Sequence, residues 1–172
     1  MKKAEAFVFS RGNWIINKVR EQKKQSEGAL TIREGEVLFV REKPHLISFG
    51  KNVTTVEEAI WQILLAEAKA QLPQRVEMLA GEKGLKYSGV KIRRMKTRWG
   101  SCTAKNGINL NSWLMMLPEH LSDYVILHEL AHTRYHNHGP RFWEYLDSLT
   151  GGRSRDLRKE LRDQQIMSIN TK

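Results

Sequence analysis

The sequence predicts an α+β domain in which a small mixed or antiparallel sheet packs on a helix carrying a His-Glu-x-x-His motif, with further helices around it. Three observations carry that prediction. Apolar residues recur at helical spacing over 56–79 and 121–130, they alternate with polar ones over 29–49, 89–95 and 107–114, and four of the six histidines fall within YVILHELAHTRYHNHG, residues 124–139.

Each element has its own signal. In SRGNWIINKVREQKKQ (10–25), Trp14, Ile15 and Val19 share helical spacing among Lys and Arg, so a short helix is expected there. ALTIR, EVLFVR and HLISF follow as a small antiparallel ribbon, with breaks at Glu34-Gly35 and Lys43-Pro44. Thr54 and Thr55 precede Glu57 and Glu58 as a doubled capping box, and Val56, Ile60, Ile63, Leu64 and Ala68 then line one helix face to about Leu72. Pro73 should kink that helix or start a second piece through Val76, Met78 and Leu79. GVKIRRM (89–95) and GINLNSWL (107–114) read as two strands joined by the turn-rich loop KTRWGSCTAKN. After Pro118 a helix returns with Leu121, Tyr124, Val125, Leu127 and Leu130. RFWEYLDSL follows Gly139-Pro140 as another, and Gly151-Gly152 separates it from a charged, solvated helical segment. No repeat or linker divides the 172 residues, so one domain is expected, with an N-terminal helix and ribbon over 1–55 and the histidine motif within 56–172.

Composition narrows the function classes. With 29 Lys and Arg against 19 Asp and Glu the formal charge is +10, which favours polyanions, phosphorylated ligands or acidic substrates. The single cysteine, Cys102, allows no internal disulfide, and Glu5 interrupts any apolar leader in MKKAEAFVFS. No stretch approaches the roughly 20 apolar residues of a membrane span. The expectation is a cytoplasmic protein without a membrane partner.

The histidines point to a metal. His128 and His132 lie four apart and so stand one turn above each other on one helix face, where both imidazoles can reach one ion. Glu129 projects about a hundred degrees round from His128, beside the ion, where it can take a proton from water that the ion activates. Composition alone would produce this pattern in roughly one such chain in fifty. The independent helix signal and the apolar YVIL before it make coincidence the weaker reading.

A catalytic zinc uses three protein ligands and keeps one position open. His138, six positions after His132, matches the spacing by which metzincin peptidases return a third histidine. Those peptidases have glycine in mid-spacer where this chain has Tyr135, so the turn is expected from Asn137 in a left-handed conformation, followed by Gly139-Pro140. His136 would share the helix face only if the helix ran on, and ligands at 128, 132 and 136 would then spread over about 12 Å of rise. Glu144 on the next helix is the alternative third ligand. His45 and His120 read as surface residues.

TRWGSC (97–102), INLN (108–111), YVILHELAH (124–132) and NHGPRFW (137–143), four motifs in order over about 50 residues, resemble the YgjP-like metal-dependent hydrolases, relatives of the SprT-like and WLM metallopeptidases. The resemblance implies a zincin-type α+β fold and a divalent metal, zinc first among the candidates, held by His128, His132 and His138 with Glu129 as the catalytic carboxylate. Members of that family usually carry further β-strand sequence before the Trp14-Ile15 helix, whereas this chain begins almost directly at it.

Around the metal motif, Lys91, Arg93, Arg94, Lys96 and Arg98 place five basic residues in eight, followed by Trp99. Arg98 opens the loop expected near the metal helix and is a candidate to stabilise an oxyanion or hold a phosphate. For the other cations a solvated strand face is the plainer account. Asn109 and Asn111 share one face of a strand that could align substrate, and equally could be ordinary outward polar positions. Cys102 reads as a small packed residue rather than a switch, and Phe142 and Trp143 as packing that supports His138.

Three functions follow. The first is a zinc peptidase in which Glu129 activates water. The second is a nucleoside triphosphate pyrophosphohydrolase using the same ion, with the 91–98 cations on the phosphates. The third, a nucleic-acid-binding module with a structural metal, ranks last because closed structural sites usually draw on several cysteines. The expected partners are therefore a peptide or nucleotide substrate, with nucleic acid allowed by the charge.

Overall fold

The structure, a computed structural model, describes residues 33–49 and 53–164. The expected helix over 10–25 and most of the ALTIR strand lie outside the described residues. The described residues divide into two compact units, one up to Ile60 and one from Trp61.

In the first unit, β1 (Val37–Val40) and β2 (Lys43–Leu46) pair antiparallel with Val40 opposite Lys43. The break expected at Lys43-Pro44 falls two residues earlier. Arg41 and Glu42 make the turn, both at positive φ (47° and 68°), which is the twist a two-residue hairpin connection needs. Pro44 is tolerated inside β2 because, in the antiparallel register that pairs Val40 with Lys43, its nitrogen faces away from β1, where no strand lies among the described residues. Val40 and Ile47 are fully buried.

Helix α1 (Val56–Lys83) begins as its sequence predicts, with the Thr55 Oγ1 accepting the Glu58 N–H at 3.2 Å. Pro73 does not divide it. A proline in a helix interior forfeits one backbone bond and costs about 3 kcal/mol. Leu64, Ala68, Leu72 and Val76 are each 0% exposed, so one buried stripe at a spacing of four runs straight across the proline. Each fully buried large aliphatic contributes about 1.5–3 kcal/mol, enough in sum to override the local cost. Met78, placed with this face by its apolar character, is instead exposed.

The remainder of the second unit is a three-stranded sheet with three helices. Strands β3 (Gly89–Arg93), β4 (Gly100–Cys102) and β5 (Gly107–Asn111) lie in the order β3-β5-β4, with β3 parallel and β4 antiparallel to β5. The stretch expected to be only a loop thus contains an edge strand of its own. Its three residues, GSC, are too few to show alternation. Asn106, at φ 59°, turns the chain from β4 into β5. A 3-10 turn (Ser112–Met116) leads to α2 (Glu119–Ala131), which is buried nearly all round. Ser122 Oγ donates to Leu114 O at 2.7 Å, fixing the helix to that turn. Arg75 of α1 clamps α2 from outside: its Nε donates to Asp123 Oδ1 at 2.6 Å, and its Nη2 pairs with Asp123 and, at 3.2 Å, with Glu119. Helices α3 (Pro140–Leu149) and α4 (Ser154–Arg162) complete the unit, and Asp147 Oδ1 accepts from both N and Oγ of Ser154 at the start of α4. Among the described residues no helix is long and apolar enough to cross a membrane.

Candidate metal centre

Helix α2 delivers three of the site residues from its last turn. His128 and Glu129 lie within the helix and His132 caps its C-terminal end. The chain then turns back without any left-handed residue. Thr133 N bonds Leu130 O, Arg134 N and Tyr135 N both bond Ala131 O, and Gly139 N bonds Asn137 O at 2.8 Å. Among the described residues positive φ outside glycine is confined to Arg41, Glu42 and Asn106, and Gly139 itself is extended. The left-handed Asn137 expected from sequence is therefore not used. A winding-down of the helix through tightened bonds makes the reversal, so the spacer needs no glycine at Tyr135.

The reversal brings three imidazoles together. His138 Nε2 lies 3.1 Å from His132 Nε2 and 3.0 Å from His128 Nε2, and the three candidate donor atoms all fall within 4.8 Å of one another. His132 Nδ1 donates to Tyr135 O at 3.0 Å, which leaves its Nε2 lone pair facing the other two rings. Three neutral imidazoles aimed at one point repel through their lone pairs unless a cation lies between them. Tetrahedral ligands at about 2.0–2.1 Å from an ion are about 3.3 Å apart, close to the spacings seen, so the donor set fits a divalent metal of the zinc type. His136 and Glu144 are exposed and stand outside this cluster. His120 is exposed on α2 and bonds Glu160 at 2.8 Å, and His45 is half-buried on β2.

Electrostatics keep the ligands in their metal-binding form. Burial lowers His128 to a pKa of about 3, helped by His132, His138 and Arg158. Burial likewise lowers His132 and His138. Glu129, only 6% exposed, is raised to about 8 by burial, with Arg98 pulling against the shift. Cys102 rises to about 11, first through burial and then through Glu129, so it is a thiol at neutral pH, and it stands outside the three-histidine cluster.

The rings are held from beneath. Phe142, fully buried, stacks on His132 with centroids 4.4 Å apart and meets His138 at 4.7 Å and His128 at 4.9 Å. Trp143 stacks on His138, and its Nε1 donates to His138 O at 3.0 Å. Arg158 of α4 lies over Trp143 at 4.5 Å.

Two residues escaped sequence reasoning. Gly100 of β4 abuts the carboxylate: a Cβ built there would stand 2.7 Å from both Cγ and Oε1 of Glu129. Any side chain would push the carboxylate aside. The only hint was the Gly-Ser step in TRWGSC. Arg158 comes from a segment read as solvated, and no local pattern links it to a site some twenty residues earlier.

Of the expected substrate residues, Arg98 is exposed and close enough to act on the Glu129 carboxylate. Asn109 is half-buried, accepting from Arg93 Nε at 3.0 Å and donating to Ser101 Oγ at 3.2 Å, and it lines the concavity that Arg98 also lines. Asn111 does not face a substrate. It is 0% exposed, its amide donates to Met95 O and Arg98 O at 2.8 and 2.9 Å, and its Oδ1 accepts from Trp113 N. The strand ends at Asn111 and its side chain turns inward to pin the loop that carries Arg98.

A helix presenting His-Glu-x-x-His, a third imidazole returned by the following turn and a small sheet whose edge strand abuts the glutamate define a zincin-like, metal-dependent hydrolase. The profile of the YgjP-like family, metallopeptidase domain, matches residues 48–164, and the chain belongs to that family. Among curated proteins nothing matches. Solved structures similar to the chain include the metallopeptidase zymogen of Methanocaldococcus jannaschii jannalysin, 24% identical over 52% of this chain and 92% of that one with a TM-score of 0.46. The metallopeptidase zymogen of Pyrococcus abyssi abylysin is 24% identical over 55% of this chain and 97% of that one, with a TM-score of 0.46.

Proposed function

We propose that the protein is a zinc metallopeptidase with His128, His132 and His138 as ligands and Glu129 as its general base. The convergence of three imidazoles, with His138 Nε2 within hydrogen-bond distance of the other two Nε2 atoms, beside a buried carboxylate, is the observation that carries this reading. The ion would supply Lewis acidity, polarising the scissile carbonyl and lowering the pKa of water toward neutrality. Glu129 accepts the proton of the attacking water and delivers it to the departing amine nitrogen. Gly100 leaves that carboxylate its room, and Phe142 holds the rings at a fixed spacing. Arg98, on the exposed side of Glu129, offers a cation to negative charge developing on the carbonyl oxygen.

A second reading keeps the same centre and cleaves a nucleoside triphosphate. It is favoured by the concavity of about 750 Å³ that Lys91, Arg93, Lys96 and Arg98 line. One assay separates the two. Wild type and Glu129→Gln, both zinc-loaded, are given unfolded protein and a set of nucleoside triphosphates in parallel. Proteolysis by wild type, lost by at least about a hundredfold in Glu129→Gln, is expected. Phosphate release without proteolysis would reject the peptidase, and proteolysis surviving in Glu129→Gln would reject the shared mechanism. His138→Ala should lower zinc content, and unchanged occupancy would transfer the third-ligand role to Glu144.

A further inference from the structure

The cations around the metal centre form one surface, and its extent exceeds what a nucleotide needs. The concavity lined by Lys91, Arg93, Lys96 and Arg98 contains no acidic lining residue. A second, of about 1230 Å³, is lined by Lys96, Arg155, Arg158, Lys159 and Arg162, with Asp156 as its only carboxylate. Lys96 and Thr97 line both, so the two adjoin. Among the described residues none of these eight cations makes an ion pair. Both parts lie close to the metal centre: Arg98 stands two residues before Gly100, which abuts Glu129, and Arg158 lies over Trp143, which stacks on His138.

An edge strand runs beside the same centre. Asn111 N bonds Trp99 O and Thr103 N bonds Gly107 O, so residues 99 and 103 direct their backbone groups at β5. By the alternation of an antiparallel ladder, the N–H and C=O groups of Gly100 and Cys102 point to the edge that no strand covers among the described residues, next to Glu129. An open row of backbone donors and acceptors is complementary to a polypeptide in extended form, and offers nothing comparable to a sugar-phosphate chain.

We infer that this surface selects acidic polypeptide segments, with Asp or Glu side chains on both sides of the bond placed at the metal centre. The inference rests on the peptidase reading and names its substrate class. The backbone edge of β4 sets the direction of the chain, and the cations supply a long-range attraction that raises association rate and weakens as salt screens it.

Binding is measured by fluorescence anisotropy on zinc-loaded Glu129→Gln, which holds substrate without turnover, using a glutamate-rich peptide and its glutamine and lysine counterparts. Cleavage of the same peptides by wild type is followed separately. The glutamate-rich peptide should bind at least about tenfold more tightly than the glutamine peptide at low ionic strength, and lose that advantage in high salt. Lys96→Gln, at the junction of the two concavities, and Arg155→Gln, at the far end, should each reduce the preference, with circular dichroism confirming that the fold is retained. Equal binding and cleavage of all three peptides would overturn the acidic preference and leave the peptidase reading standing. Acidic binding with no peptide cleaved by wild type would overturn the peptidase reading, and with it the substrate role of the surface. A single-stranded oligonucleotide that binds more tightly than the glutamate-rich peptide and displaces it would assign the surface to nucleic acid instead.

Discussion

Gly100 sits where a methyl group cannot go without moving the Glu129 carboxylate. Gly100→Ala should therefore leave the three histidines and the zinc content intact while lowering turnover by about a hundredfold, the scale on which a displacement of about 1 Å at a reacting group acts. Metal analysis beside a proteolysis assay checks both halves. Full activity in that variant would mean that the carboxylate has another place to stand. Asn111 shows the same limit of sequence from the other side. Its spacing from Asn109 gave both one strand face, yet the strand ends there and the buried amide bonds two loop carbonyls. Spacing reports a face only while the element continues.

Among the elements, α2 was legible because its burial and its chemistry share one period, and its start after Pro118 fell where expected. Helix α1 was legible at its capped start, and of the two outcomes expected at Pro73 the start of a second piece is not used, because the cost of a proline is local whereas the buried stripe that overrides it belongs to the packed unit. Strand β4 was missed for the opposite reason: three residues carry no periodicity, and only pairing with β5 makes them a strand. The clamp between α1 and α2 was equally hidden, since Arg75 and Asp123 lie 48 positions apart. Asp123→Ala removes the paired carboxylate and leaves a part-buried guanidinium with the longer ion pair to Glu119 and a weak contact to the Met78 sulfur. Chemical denaturation should show a loss of about 1–3 kcal/mol, with zinc content unchanged. A loss of zinc in that variant would show that the clamp also positions the ligand-bearing end of α2.

At the scale of the molecule, a metal centre made by one helix, one reversal and the first turn of the next helix links stability to occupancy. Binding to the folded state alone at a hundredfold excess over the dissociation constant adds about 2.7 kcal/mol. Chelation should accordingly lower Tm, and restored zinc should recover it. A Tm indifferent to both would mean that the cluster is preorganised without the ion, through Phe142, Trp143 and the Tyr135 carbonyl. Charge belongs to this scale too. The formal +10 was plain in the composition, whereas its concentration along two adjoining concavities near the metal was not. Lys91 of β3, Arg98 of the following loop and Arg155 and Arg162 of α4 come from three separate parts of the chain, and no short window along it contains them all.

What the sequence determined by itself was everything that repeats over short range: the helical stripes, the capping box at Thr55, the pairing of His128 with His132 one turn apart, and the offset of Glu129 between them. These follow from the fixed geometry of a helix, which turns spacing directly into direction. Only the tertiary structure decided how the chain reverses after His132 without a left-handed residue, that β4 lies against Glu129, and that Phe142 and Arg158 come to the histidines from α3 and α4. Those contacts join residues whose separation along the chain carries no direction, and the packing of one buried core gives it to them.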